Sequence, residues 1–161
     1  MELFESCVRL LEVRGVSISD ITECVLFLQR KFLPDLSFKE AEDSVMAVLK
    51  KREVQHVLIT GIELDRRAQG HLLLDKELQR MLESDASLYG VDEVLAYGIC
   101  NLYGSIALTN FGYIDHEKPG IIGKLNDIHD GSCNTFLDDI VGAIAASAAS
   151  RLAHQKGENS K

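Results

Sequence analysis

From Val94 to Ile114 the chain runs for 21 residues without a formal charge, and from Ile140 to Ser150 it does so again for 11. The first run is formally long enough to cross a bilayer. Tyr97, Asn101, Tyr103, Ser105, Thr109 and Asn110 interrupt it, with glycine at 98, 104 and 112. That polarity argues against a membrane span and for a helix buried in protein. The expectation is a central helix over about 88–112 with the others around it. The second run is too short to span a membrane. Its Gly142, Ala146, Ala149 and Ser150 fall at i, i+4, i+7 and i+8, so one stripe is small enough for another helix backbone to approach. This helix is expected inside the protein or at a subunit interface.

The rest of the chain also reads as helix. Proline occurs only at 34 and 119, apolar residues recur at helical spacing, and no run alternates as a strand would. Leu3, Cys7, Leu10 and Leu11 mark a first helix over 2–14, which Gly15 ends. Ser17 to Asp20 reads as a capping box opening a helix through Phe32, and Ser37 to Glu40 as a second one. Further helices are expected over about 52–68, 75–84, 120–127 and 135–154, with 155–161 a fraying tail. The expected fold is all-α: a single-domain bundle of about seven or eight helices over 1–161.

Composition narrows the chemistry. A net charge of −8 and a pI near 5.1 argue against a nucleic-acid partner, since phosphate backbones are held by clustered Lys and Arg. The opening Met1-Glu2-Leu3-Phe4-Glu5 has no basic signal-peptide start. Cys7, Cys24, Cys100 and Cys133 form no CxxC pair, and the first three sit in apolar helical patterns as small hydrophobes. A cytoplasmic, reduced protein is expected. His56, His71, His116, His129 and His154 are scattered and read as structural or exposed.

Two adjacent acidic pairs stand out against this background. Asp92-Glu93 opens the first uncharged run and Asp138-Asp139 the second. Charge at the edge of an apolar helix is costly unless compensated. Helix N-termini compensate partly, and plain capping is the simpler account of either pair alone. Two pairs on the two most core-like helices point to a divalent cation, because Mg²⁺ takes carboxylate oxygens and keeps positions for water or phosphate. Between them, Lys118 and Lys124 are candidate phosphate contacts, while Asn110, Asp115 and Asp127 are candidate ligands or water-orienting groups. Glu63 and Asp65, two apart, share no helix face and read as surface charges. No glycine-rich phosphate loop or nucleophile elbow is present.

Three segments resemble the phosphatidylglycerophosphatase A family, and within it the soluble low-temperature-requirement C branch. They are Val91-Asp92-Glu93, Asp115 to Ile121 with Lys118-Pro119-Gly120, and Thr135 to Ala143 with Asp138-Asp139-Ile140. They occur in the family's order within about residues 54–153, behind N-terminal helices over 1–55. Val91 stands where the family has Trp, and residues 1–55 lack the Gly/Pro-rich segment of the membrane-bound relatives. The resemblance implies an all-α Mg²⁺-dependent phosphatase that converts phosphatidylglycerophosphate to phosphatidylglycerol. It implies Asp92, Glu93, Asp138 and Asp139 as catalytic metal ligands, with Asp115 beside them and Lys118 on the phosphate. The partners expected are a phospholipid or small phosphate ester, a second copy of the chain in a homo-oligomer, and the inner face of the membrane as a peripheral surface. Two other readings remain open. One is an all-α nucleotide pyrophosphohydrolase, whose ExxE spacing is missing here. The other is a noncatalytic metal-binding helical oligomer.

Overall fold

The structure, a computed structural model, describes residues 2–127 and 130–159. His129, and Ser160 and Lys161 of the expected tail, lie outside the described residues. The described residues form one all-α domain of nine helices. These are α1 (Leu3–Val13), α2 (Ile18–Gln29), α3 (Phe38–Leu49), α4 (Arg52–Gln69), α5 (Lys76–Glu83), α6 (Val91–Cys100), α7 (Ser105–Glu117), α8 (Ile121–Asp127) and α9 (Leu137–Asn159).

Both capping boxes form. The Ser17 hydroxyl accepts from the Asp20 N–H at 3.0 Å, and the Asp20 carboxylate accepts from the Ser17 N–H at 2.9 Å. Ser37 and Glu40 repeat the exchange at the start of α3. Each box satisfies helix-end donors that otherwise lack partners. The second helix stops at Gln29 rather than Phe32, and α9 continues through Asn159 rather than ending at His154.

The expected central helix over 88–112 is not one helix. It breaks at Asn101–Gly104 into α6 and α7, because Gly104 takes φ +92° and ψ −164°, a conformation that excludes side-chain-bearing residues. Nor is it the centre. That role belongs to α9, which packs against α2, α3, α4, α6, α7 and α8. Every residue from Thr135 to Ser150 is buried. Its alanines and Gly142 keep the helix thin enough for surrounding helices to reach it. Polar side chains fasten the ring to the axle: Gln29 donates to the Ala149 carbonyl at 2.9 Å and Ser44 to the Ala148 carbonyl at 2.8 Å. In the sequence Gly98, Asn101, Gly104 and Ser105 make a comparable small, polar stripe that could face the one on α9; all four are exposed, so it does not. No helix of the described residues is long and apolar enough to cross a membrane.

Candidate functional site

The N-terminus of α9 is held by a residue that sequence reasoning placed on the surface. Asp65, in the fourth turn of α4, is fully buried. Its carboxylate accepts from Phe136 N–H at 3.0 Å and Leu137 N–H at 2.9 Å. Glu63 is exposed as expected, paired with Arg67 at 2.7 Å. Asp65 differs because it lies three residues after Ile62 and three before Ala68, on the buried stripe of α4. That spacing was the available signal. Arg14 fixes the preceding loop from the other side, donating to the Cys133 carbonyl and to the Asn134 side chain at 2.9 Å.

With α9 so anchored, Asp138 and Asp139 open its first turn, 6% and 5% exposed. They line a cleft of about 350 Å³ together with Asp92 and Glu93 from the first turn of α6. Asp115 and Lys118 from the end of α7 complete the wall, with the loop Asp85–Gly90 along one side. The α6–α7 hairpin therefore leaves the cleft and returns to it. Asp139 shares the cleft with Asp92 and Asp115, which joins the two acidic pairs in space. Lys118 ends α7 in a left-handed conformation at φ 51°, ahead of Pro119. Its ammonium lies 3.4 Å from Asp115 and 3.8 Å from Asp138. Lys124 is exposed on α8 and is not part of the cleft wall.

Asp85 and Asn126 also line the cleft, and neither was singled out from sequence. Asp85 sits in a loop without periodicity, at φ +46°, next to Leu88 at φ +66°. Two non-glycine residues with positive φ at one rim are strain of the kind that collects at functional sites.

The cleft gathers six carboxylates and one ammonium. Burial pushes the Asp138 carboxyl above its usual range, with Lys118 pulling back and Asp85 adding to the rise. Asp139 is pushed up further, by burial, then by the charge of Asp138 and by its contacts with Asp92 and Asp115. Glu93 and Asp85 rise as well, burial first and Asp92 second. Burial works against the Lys118 ammonium, but the carboxylates, Asp115 first, hold it above its usual value. Among the described residues, no three His, Cys, Asp or Glu side chains enclose a single point as a finished ligand cage would. The donor chemistry nonetheless fits a hard divalent cation. The cleft is rich in carboxylate oxygen, its lining includes neither thiol nor imidazole, and its acids are crowded enough to retain protons that a cation would displace. Without such a cation, the same negative charge would repel a phosphate.

Comparison with known proteins adds family and fold. The family model for phosphatidylglycerophosphatase A matches residues 11–154. The chain is 61% identical over 142 residues to the protein YutG of Bacillus subtilis, covering 88% of this chain and 85% of that protein. Among solved structures it is similar to the low temperature requirement C protein of Listeria monocytogenes, with a TM-score of 0.94, 53% identity and 98% of each chain covered. A protein of unknown function from Bacillus stearothermophilus gives a TM-score of 0.92 at 54% identity, covering 96% of each chain.

Proposed function

The chain belongs to the phosphatidylglycerophosphatase A family, and we propose that it is a Mg²⁺-dependent phosphomonoesterase acting on the terminal phosphate of phosphatidylglycerophosphate or a related phosphate ester. The observation that supports this most is the meeting of Asp92-Glu93 and Asp138-Asp139 in one cleft with Lys118 beside them. Asp92, Glu93, Asp138 and Asp139 are the proposed catalytic metal ligands, with Asp115 next to them. When bound, Mg²⁺ supplies charge neutralisation at the phosphoryl group and lowers the pKa of coordinated water.

The chain's own groups do the remaining work. Lys118 is anchored between Asp115 and Asp138, and offers its third direction of donation to a phosphoryl oxygen. The acids along α6 and α9 set the orientation of the ester by repelling its oxygens wherever no cation intervenes. Water adds to phosphorus, the ester P–O bond breaks, and the alcohol leaves with a proton. Lys124 lies outside the wall and has no part in this scheme. In this reading the enzyme works from the cytoplasm and meets a lipid ester peripherally; no described helix is long and apolar enough to cross a membrane.

Release of inorganic phosphate from a panel of lipid and soluble phosphate esters, with and without Mg²⁺, tests the reading. Activity is expected only with the metal. Asp138→Asn and Asp92→Asn are each expected to lower it at least ~100-fold, the scale of losing one preorganised electrostatic group. Pyrophosphate release from nucleoside triphosphates would replace this function with that of a pyrophosphohydrolase. No hydrolysis and no Mg²⁺ binding would leave a noncatalytic helical protein.

A further inference from the structure

Among the described residues, the outward surface of the α6–α7 hairpin is covered from within the chain only at Tyr113, whose ring stacks on Phe27 at 5.9 Å. Charged residues make up 26% of the sequence, yet residues 94–114 have none. The exposed side of that segment is therefore as uncharged as its buried side. Val94 is 63% exposed, Tyr113 48%, Ile106 40% and Leu108 39%. On α7 the apolar side chains flank a strip of small residues, Ser105, Thr109 and Gly112, opposite the buried Ala107, Phe111 and Ile114. Gly112 lies within the helix without a positive φ, and a Cβ built there would meet nothing within 4 Å. Glycine is the poorest helix former after proline. Neither the backbone nor packing within the chain accounts for it here.

We propose that this face joins two copies of the chain, with α7 of each packed antiparallel across a two-fold axis. A strip of small residues between apolar ridges is a groove into which a second helix fits closely. The same strip supplies both halves of a two-fold contact, as an isologous interface requires. Its lack of charge and its tyrosines match the centre of a protein interface.

Charge complementarity fixes the direction. The N-cap of α7 is Gly104, which supplies no side-chain bond, and no acidic residue lies in the first turn. The exposed Glu117 stands at the opposite end. An antiparallel pair sets each Glu117 beside the uncapped N-terminus of the other α7, where a carboxylate is favoured. A parallel pair would set the two Glu117 side chains together. A lipid surface fits less well, because exposed Glu93 and Glu117 border the face and the chain carries a net charge of −8. The proposal is independent of the phosphatase reading.

Sedimentation equilibrium of the full chain at micromolar concentration is the test. The wild type is expected at twice the 17.8 kDa chain mass. Gly112→Arg is expected at the chain mass, its association weakened at least ~100-fold with helical circular dichroism unchanged, as for a charge at an interface centre. Should that variant fail to fold, Leu108→Lys reads the same contact. Val13→Arg places the same charge on α1, where Val13 is 73% exposed, and is expected to stay dimeric. A monomeric wild type overturns the proposal; flotation with phosphatidylglycerol vesicles would then assign the face to lipid. An assembly that survives both hairpin variants, or that Val13→Arg dissolves equally, overturns it too.

Discussion

Asp65 shows how much one carboxylate can do far from solvent. Unfolded, it titrates in the ordinary carboxylate range. In the fold burial pushes it up to about 7, although the Phe136 and Leu137 N–H groups and Arg14 pull it down. Folding thus favours its protonated form. The stability this contributes is fully present below about pH 4 and is lost as pH rises through about 7, with a slope near ~1.4 kcal/mol per pH unit. Asp65→Asn removes the titration while keeping one acceptor for the end of α9. Urea midpoints measured at about pH 5 and about pH 8 are expected to fall more in the wild type than in the variant. Parallel falls would mean that another group carries the dependence. At this scale the sequence was informative wherever the identity of the residue settled its role. The acidic pairs and Lys118 are examples, since adjacent carboxylates opening an apolar run are visible without coordinates. Asp65 was misread because its two-residue spacing from Glu63 was considered and its three-residue spacings to Ile62 and Ala68 were not. Asp85 carried no pattern at all; only the fold of its loop brings it to the cleft.

Among the elements, the crossing of α4 and α9 is the most demanding. A Cβ at Gly61 would overlap the end of Ile140 and stand 3.2 Å from the Phe136 Cβ. The Ile140 side chain can turn aside, but Phe136 is anchored next to the bonds that Asp65 accepts. Gly61→Ala is expected to destabilise the protein by about 1–3 kcal/mol, the usual penalty of overpacking, despite the better helix propensity of alanine. Equal or higher stability in a thermal melt would show that the two helices separate freely. Short-range signals made most element boundaries legible: Ser17 with Asp20 and Ser37 with Glu40 start helices where the sequence says they should. The break at 101–104 was missed because Gly104 and Ser105 were read as a packing stripe. A glycine in a long uncharged run suits either reading, and only the φ it adopts decides. The burial of α9 on all sides was likewise hidden, because small residues leave open whether a helix meets one neighbour or six.

For the whole molecule, the proposed cation would couple binding in the cleft to fold stability. Its acids are crowded in the metal-free protein, so a bound cation should stabilise the native state by mass action. At Mg²⁺ near 100 times its dissociation constant the gain is about 2.7 kcal/mol, or a rise of about 5–11 °C in Tm for a chain of this size. Asp139→Asn is expected to abolish that shift and to raise the metal-free Tm, because it removes the acid most disfavoured by its neighbours. An unchanged shift in the variant would remove Asp139 from the ligand set. The position of α9 has a further consequence, for the order in which the protein comes into being. The helix that six others pack against is also the last of the nine described helices in chain order. While the ribosome is still adding residues 1–136, the apolar sides of α2, α3, α4, α6 and α7 have no axle to close upon. Translation proceeds at about 5–20 residues per second, so those sides wait for seconds. These helices must then remain soluble without their axle until α9 emerges.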